Sequence, residues 1–353
     1  MSHASTRVVA CGLTLLLISP IHADIVATGF FSGTLERFDA ATGQQSTFST
    51  IASGDDPFPG LSGIVFDRSR QLLYATARFS DRLYRIDATN GAVLGFQQLD
   101  EGSSPAGVAV GPSGNVYIAK NGQNRVSVRD PSGSEIRSIE LPRILPGGVD
   151  NFPGGVAFDH QGRLVVSTFG GAGLFRYDPS SDSVSPLAAA ATANNQIAAD
   201  GGGDLFVGGA AFTNDVLRFR EDGTPVDPPF LTIDESLLPK PENPDIASPD
   251  FTSPSGVAFD DDGNLIVAAL GRTNPTSDAD HFQSNGGLWI ISPDGTVRTL
   301  GTGLTPLSSV TAIPEPGFAL LLCLIALGLC VRHWRRPSGT LRFVSTKGAG
   351  SGG

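Results

Sequence analysis

Acidic side chains that could bind a metal ion are concentrated in one segment, GRTNPTSDADHFQSN at residues 271–285. Asp278 and Asp280 lie there two residues apart, with His281 beside them. Calcium accepts roughly six to eight oxygen ligands, often from flexible loops. The two carboxylates are therefore candidate calcium ligands. A solvated acidic loop is the alternative interpretation, because the rest of a ligand pattern is missing.

Residues suited to nucleophilic catalysis are scarce. Between residues 24 and 313 there is no cysteine, and the only histidines are His160 and His281. A Ser-His-Asp relay requires a histidine within hydrogen-bond reach of an exposed serine, whereas His160 lies in a predicted hairpin turn. We interpret His160 as an exposed turn residue. His281 with Asp280 leaves open the alternative of a metal-dependent lyase.

The charge of the chain narrows the choice of partners. Six of the 24 basic residues and one of the 35 acidic residues lie outside residues 24–313, so the formal charge of that segment is −16. Such a surface repels polyanions at long range. Nucleic acid is therefore not an expected partner.

Five copies of one pattern follow one another along the chain. SGIVFDRSRQLLYATARFSDRLYRIDATNGAV begins at Ser62, AGVAVGPSGNVYIAKNGQNRVSVRDPSGSEI at Ala106 and GGVAFDHQGRLVVSTFGGAGLFRYDPSSDSV at Gly154. The fourth copy starts at Asn195 and the fifth at Ser255. Each copy alternates short apolar runs with Asp/Gly turns, which predicts a four-stranded antiparallel meander. Meanders that stack face to face form the blades of a β-propeller.

The two ends of the repeat region complete a sixth copy. DIVATGFFSGTLERFDAATGQQSTF, from Asp24, matches the second to fourth strands, and LSSVTAI, from Leu307 to Ile313, supplies the missing first strand. We therefore predict an all-β, six-bladed propeller over residues 24–313, closed by its N- and C-terminal strands so that no edge is left open. A solenoid or a sandwich is the competing architecture. The third strand of each of the five copies carries a bulky residue that we expect to pack between blades: Tyr84, Val128, Phe175, Phe219 and Trp289.

The recurring core GVAFDDDGNLIVA resembles the NHL-type and gluconolactonase-like six-bladed propellers, over nearly all of residues 24–313. This architecture serves enzymes, binding proteins and scaffolds alike. The resemblance implies that a hydrolase of this kind would hold a divalent metal with acidic and amide side chains from the inner strands. At the matching positions only Asn195 and Gln196 could act as ligands, so no metal site can be carried over.

Two long segments are expected side by side on the face where the loops between blades emerge. One is the linker from about Asp227 to Pro254, and the other is the insertion from Gly271 to Asn285. Loops held by a rigid scaffold commonly carry binding residues. We expect this raised rim to be a contact surface.

Residues 1–23 have the pattern of a secretory signal peptide. Arg7 precedes an apolar run from Val8 to Ile18, and a small residue follows at Ala23, where we expect cleavage. A buried strand or an uncleaved anchor is the alternative. The positions of the three cysteines are consistent with an exported domain that has no disulfide bond. Cys11 lies in this segment, and Cys323 and Cys330 lie near the C-terminus.

The C-terminal segment, residues 314–336, resembles the PEP-CTERM sorting signal of Gram-negative bacteria that make exopolysaccharide. The resemblance rests on a tripeptide, an apolar run and a basic cluster in that order: Pro314, Glu315, Pro316, Gly317 to Val331, Arg332, Arg335 and Arg336. It implies a transmembrane sorting helix, transient anchoring in the inner membrane, and cleavage by an exosortase. A permanent anchor is the alternative. Residues 337–353, which the family pattern lacks, are expected to form a flexible cytoplasmic tail.

These features predict an exported protein, displayed on the cell surface or released, that acts as a binding or matrix module. Exopolysaccharide or another envelope component is the expected partner. No catalytic residue and no firm cofactor are predicted, and calcium at Asp278 and Asp280 is the one metal candidate. The alternatives are a metal-dependent hydrolase or lyase acting on lactones or esters, and a purely structural matrix protein.

Overall fold

The fold is an all-β, six-bladed propeller. In the part of the chain that the structure describes, 24 strands form six four-stranded antiparallel sheets, and the one helix is a single 3-10 turn, Asn121–Gln123. The repeat pattern predicts this architecture, which is confirmed. The computed structural model describes residues 23–52, 54–143, 150–169, 173–189, 194–209, 213–234, 253–271 and 286–314.

Blade 1 combines strands from both ends of the chain, and each other blade contains four consecutive strands. Blades 1 and 2 contain β1 (Asp24–Gly29), β2 (Thr34–Phe38), β3 (Gln45–Thr50) and β24 (Leu307–Ile313), then β4 (Leu61–Asp67), β5 (Leu72–Ala77), β6 (Arg82–Asp87) and β7 (Val93–Gln98). Blades 3 and 4 contain β8 (Pro105–Val110), β9 (Val116–Lys120), β10 (Arg125–Arg129) and β11 (Glu135–Glu140), then β12 (Pro153–Phe158), β13 (Leu164–Thr168), β14 (Leu174–Asp178) and β15 (Ser183–Ala188). Blades 5 and 6 contain β16 (Asn194–Ala199), β17 (Leu205–Gly209), β18 (Asp215–Phe219) and β19 (Pro225–Thr232), then β20 (Pro254–Phe259), β21 (Leu265–Ala269), β22 (Gly286–Ile291) and β23 (Val297–Leu304).

In four of the six blades the turn between the first two strands is held by an aspartate: Asp67, Asp159, Asp200 and Asp260. In blade 4, Oδ1 of Asp159 accepts hydrogen bonds from the backbone N–H groups of Gln161 and Arg163 at 3.0 and 2.9 Å. Gly162 completes this turn at φ 75°, a conformation that glycine adopts without steric cost. The carboxylate of Asp260 makes the same bonds in blade 6. The DDDGN sequence is thus a turn of the fold.

The ring is closed by the pairing of the first and last strands. β1 runs antiparallel to β24, with Asp24 opposite Ile313 and Ala27 opposite Val310. Blade 1 therefore has the strand order β24-β1-β2-β3, and its inner strand comes from the C-terminal end of the repeat region. This is the closure that the sequence predicts, and it gives blade 1 the same four strands as the other blades.

Apolar side chains fill the spaces between neighbouring blades. The bulky third-strand residues predicted to pack there are all buried: Tyr84, Val128, Phe175, Phe219 and Trp289. Trp289 packs with Val267 and with Phe206 of the preceding blade in one cluster. Since the described body contains no cysteine, burial of apolar surface is the main source of its stability.

The six inner strands approach one another closely around the axis. A methyl group added to Gly107 on β8 would lie 2.7 Å from the Cα atom of Gly155 on β12, and one added to Gly256 would lie 2.7 Å from the Cα atom of Ser309. Small hydroxyl side chains bridge the same strands, since Oγ of Ser255 donates to the carbonyl of Leu307 at 2.9 Å. The axis is therefore packed largely by backbone.

The connections divide between two faces of the ring. Inner strands begin, and second strands end, on one face, which we call the mouth face. Because β1 runs towards this face and β24 runs away from it, Asp24 and Ile313 lie together on the opposite face. Both ends of the propeller therefore leave the mouth face free.

The structure corrects the position of one predicted loop. The linker expected to begin at about Asp227 begins after Thr232, because β19 extends from Pro225 to Thr232. Prolines are tolerated in this strand since it is the outermost of its blade, where backbone N–H groups on one side need no partner.

Most of the predicted targeting segments lie outside the described residues. This applies to residues 1–22 of the signal peptide and to the whole sorting signal after Pro314, while Ala23 immediately precedes β1. None of the described residues belongs to a helix with the length and apolarity that crossing a bilayer requires.

Replacing Gly107 by alanine tests the close packing at the axis. We expect the free energy of unfolding to fall by about 1–3 kcal/mol, because the added methyl group must push two inner strands apart. Urea denaturation followed by circular dichroism measures this change.

The matched control is Gly201→Ala. A methyl group there meets no atom within 4 Å, so we expect a change within about 0.5 kcal/mol. An equal effect of both substitutions, or no effect at Gly107, would mean that the inner strands can separate without cost.

Candidate functional site

A glutamine bridges the central channel. Gln196 lies on β16 in blade 5, and its Nε2 atom donates a hydrogen bond of 3.2 Å to the carbonyl of Ser62 on β4 in blade 2. Blades 2 and 5 are opposite one another in a ring of six, so this bond crosses the axis. Sequence reasoning selected Gln196 as a possible metal ligand, whereas the structure uses its amide to bridge the channel. The side chain of Asn195 lies outside the described part of the chain.

The residues that follow the second strand of each blade surround the channel opening. In four blades their backbone N–H groups donate to the residue that precedes the inner strand: Phe30 to Pro306 at 3.0 Å, Arg78 to Gly60 at 2.9 Å, Phe169 to Phe152 at 2.7 Å and Leu270 to Ser253 at 3.1 Å. Asn121 holds the same position in blade 3. We call these residues the mouth ring: Phe30, Arg78, Asn121, Phe169 and Leu270.

Several residues that are hydrogen-bonded or adjacent in space to the mouth ring have left-handed backbone conformations. The residues that precede inner strands have positive φ angles: 65° at Gly60, 44° at Ser104, 52° at Phe152 and 46° at Ser253. Glycine accepts this conformation readily, but a bulky residue such as Phe152 is strained there. Strained positions of this kind cluster at ligand sites, where the surrounding structure holds them in place.

Exposed aromatic rings lie beside the mouth ring on blades 1 and 2. The ring of Phe79 is 61% exposed, lies over Gly60, and meets the ring of Phe30 edge to face at 5.5 Å between centroids. Phe30 makes a second edge-to-face contact with Phe31 at 4.8 Å. Phe58, in the loop between the two blades, is 69% exposed. Exposed apolar surface gathered at one place is typical of an interaction site.

Arg78 is the charged member of the mouth ring. Its Nε atom donates to Oγ of Ser104 at 3.0 Å, and its Nη2 atom donates to Oδ1 of Asn121 at 3.0 Å. No carboxylate among the described residues lies within ion-pair distance of its guanidinium. Burial lowers the pKa of Arg78 from its ordinary value because desolvation disfavours the charged form. The structure therefore places an arginine without a balancing acid at the channel opening.

A buried lysine anchors the mouth ring on blade 3. Lys120, adjacent to Asn121, is fully buried, and its Nζ atom lies 2.7 Å from Oδ2 of Asp100 and 2.9 Å from Oε2 of Glu135. The hydrogen bond from Lys120 lowers the pKa of Asp100. Burial raises the pKa of Glu135, but hydrogen bonds from Lys120 and Ser127 more than offset it, so that pKa is also lowered.

A second group of charges lies on the opposite face, in a cleft of about 640 Å³ between blades 4 and 5. There Arg163 lies 2.6 Å from a carboxylate oxygen of Glu221, and Nε of Arg218 donates to Asp204 at 2.8 Å. His160 lies in this region, 3.8 Å from Glu221, as an exposed turn residue. Because Arg163 and Arg218 are paired with acids of the protein, we interpret the charges of this cleft as part of the fold.

The residues selected from the sequence and those found in the structure differ. Asp278, Asp280 and His281 lie outside the described residues. No group of three or more His, Cys, Asp or Glu side chains within the described ranges is arranged to hold a metal ion. The mouth ring was missed by sequence reasoning, although aligning the residue after each second strand would have singled out the charge at Arg78.

Comparison with known proteins identifies the fold. No protein-family model and no curated protein matches the sequence. A chain of a nidogen/laminin complex has a TM-score of 0.59 at 15% identity, over 82% of this chain and 98% of that chain. A streptogramin B lyase gives 0.53 at 15% identity over 78% of both chains. A protein assigned as a gluconolactonase gives 0.50 at 19% identity over 70% of this chain and 80% of that one. Similarity at this level shows a shared propeller fold.

Replacing Lys120 by methionine tests the support beneath the mouth ring. At pH 7 we expect the free energy of unfolding to fall by about 1–3 kcal/mol, because Asp100 and Glu135 lose a charged hydrogen-bond donor. Both pKa values are lowered in the folded state, so the stability from these carboxylates is present above about pH 4 and disappears as the pH falls through their folded-state pKa values. Urea denaturation at a series of pH values should show the difference between the two proteins shrinking below about pH 4.

Arg68→Met is the control for this measurement. Arg68 and Asp261 form an ion pair in which both side chains are exposed, and such pairs contribute about 0–1 kcal/mol. A difference between wild type and Lys120→Met that is the same at all pH values would contradict the assignment.

Proposed function

We propose that this protein is an exported β-propeller that binds saccharide at the mouth ring, as a module of an exopolysaccharide matrix or the cell surface. The observation that carries the proposal is the mouth itself, where exposed aromatic rings and Arg78 lie around a channel that Gln196 bridges. A polymer segment lying on the mouth face would contact these residues.

The side chains at the mouth match the chemistry of sugars. One face of a pyranose ring presents C–H bonds that pack against an aromatic face, and Phe79 offers such a face to solvent. Sugar hydroxyls need hydrogen-bond partners, and amide and guanidinium groups supply them. Arg78 provides such a group beside the aromatic rings, and Asn121 holds it in place.

The ends of the propeller are consistent with export and sorting. β1 starts at Asp24, one residue after the proposed signal cleavage at Ala23, and β24 ends at Ile313, one residue before the proposed Pro314-Glu315-Pro316 element. Removal of residues 1–23 by a signal peptidase and of the C-terminal segment by an exosortase would therefore leave the closing strand pair intact. The processed protein would then reach the surface or the extracellular matrix of a Gram-negative bacterium.

A metal-dependent hydrolase or lyase is the second candidate function. The similarity in fold to a streptogramin B lyase and to a protein assigned as a gluconolactonase favours it. Calcium at Asp278 and Asp280 belongs to this alternative. Calcium-dependent turnover of a lactone or ester, lost in Asp278→Ala and Asp280→Ala, would establish it. A purely structural matrix role predicts neither turnover nor saturable binding.

Replacing Phe79 by alanine tests the saccharide site. We expect binding to exopolysaccharide purified from the producing cells to weaken about tenfold, which corresponds to about 1.4 kcal/mol, because a stacking surface is lost. Biolayer interferometry with immobilised polysaccharide measures the affinity.

Phe96→Ala provides the matched control. Phe96 is 50% exposed but lies on the outer strand β7, away from the mouth, so its removal should leave the affinity unchanged. Equal losses in both variants would indicate non-specific aromatic contact, and no binding by the wild-type protein would refute the proposal.

A further inference from the structure

We infer that the saccharide bound at the mouth ring carries carboxylate groups, as uronic acids do, and that Arg78 is the residue that pairs with them. This inference rests on the proposed saccharide binding and adds the chemical class of the ligand. It follows from the charge balance of the mouth, from the orientation of Arg78, and from the position of Phe79 next to it.

Arg78 differs from the other arginines in its partners. Nine other arginines in the described ranges are at least partly buried, and each of them has a carboxylate within ion-pair distance: Arg37, Arg70, Arg82, Arg125, Arg129, Arg137, Arg163, Arg176 and Arg218. Arg78 is half-buried, and its side-chain hydrogen bonds go to a serine hydroxyl and an amide oxygen. A buried charge without a counter-charge is costly. A carboxylate on the ligand would supply the counter-charge that no acid of the described residues provides.

Two acids in mouth-face loops of the same region are already engaged elsewhere. Asp81 accepts hydrogen bonds from the backbone N–H of Gly102 at 2.8 Å, from that of Ser104 at 2.6 Å and from the hydroxyl of Ser103 at 2.9 Å. Asp56 accepts from Arg82 and Tyr84. Both carboxylates shape loops of the mouth face, and neither forms an ion pair with Arg78. No acid of the described residues therefore competes with a ligand for this charge.

The guanidinium of Arg78 is held in place by the blade next to it. Ser104 and Asn121 both belong to blade 3, and Nδ2 of Asn121 donates in turn to the carbonyl of Pro153 at the start of blade 4, at 3.2 Å. This chain of bonds connects three blades and fixes the plane of the guanidinium. Arginine has five N–H donors, so donors beyond the two bonds to Ser104 and Asn121 can bind a carboxylate through two parallel hydrogen bonds.

Arg78 and Phe79 divide the site between two kinds of contact. Arg78 points towards blade 3, where its partners lie, while the ring of Phe79 lies over Gly60 and contacts Phe30 in blade 1. A sugar ring stacked on Phe79 would then present a carboxylate substituent towards Arg78. A neutral sugar would use only the aromatic half of this site.

The net negative charge of the protein indicates that an acidic polymer would bind through a local contact and not through overall electrostatic attraction. Residues 24–313 have a formal charge of −16, so the body as a whole repels a polyanion. Binding of an acidic polymer in spite of this repulsion is best explained by a local contact with an arginine that has no ion pair with any described acid. Arg78 is such a residue at the mouth.

The test compares one polysaccharide in two forms. Exopolysaccharide is isolated from the bacterium that makes this protein and is tested in its native form and after reduction of its carboxyl groups to primary alcohols. The reduction removes the charge and retains the sugar backbone. We expect wild-type protein to bind the native form at least tenfold more tightly than the reduced form. In Arg78→Gln this preference should disappear, because the affinity for the native form should fall at least tenfold further than the affinity for the reduced form.

Two further variants separate ligand binding from a structural role of Arg78. Arg78→Lys keeps the positive charge and should retain part of the preference, and its thermal unfolding, like that of Arg78→Gln, shows whether the mouth stays folded. Arg220→Gln removes an exposed charge from a turn on the opposite face and should bind like the wild type.

The outcomes distinguish the inference from the proposal on which it rests. Equal binding of the native and reduced forms by the wild type would overturn the carboxylate inference and leave saccharide binding in place. A preference that survives in folded Arg78→Gln would place the carboxylate contact at another residue. Failure of the wild type to bind either form would refute saccharide binding itself.

Discussion

The close contact of six inner strands around one axis is the constraint on which the rest of the structure depends. Glycines at Gly63, Gly107 and Gly256 leave room for the neighbouring backbone, and serine and threonine hydroxyls bond across the gaps between blades. Because these strands meet so closely, one amide side chain, Gln196, can reach from blade 5 to blade 2. The channel is thereby bridged, and a ligand on the mouth face would contact the residues around the opening.

This constraint also explains why the mouth ring has the residues it has. The described inner strands contain no charged side chain at their entries. In the described part of the ring the residue after the second strand is charged only at Arg78, and its neighbours are aromatic, apolar or amide side chains. Asp81 and Asp100, in mouth-face loops, are engaged with other partners. Arg78 is thus the one charged member of the described mouth ring.

The architecture could be predicted because a short sequence pattern repeats along the chain. Apolar runs separated by Asp/Gly turns define the hairpins, and the missing first strand of blade 1 identifies β24 as its partner. The bulky residues of the third strands were predicted to be core for the same reason. The end of β19 was placed wrongly, since the prolines of this outer strand were taken as a sign of a loop. The local sequence pattern thus predicts most strands correctly, but it did not predict the end of this outermost strand.

The site was harder to predict because it depends on contacts between blades. Gln196 was selected for the chemistry of its amide, yet its role depends on which blade lies opposite, and the sequence pattern around residue 196 does not specify that carbonyl. Likewise, Arg78 looks ordinary until its partners prove to be Ser104 and Asn121 of the next blade, with no acid among them. The closing strands add a further consequence of topology. Asp24 and Ile313 both lie on the face opposite the mouth, because blade 1 takes its inner strand from the C-terminal end of the repeat region and its second strand from the N-terminal end.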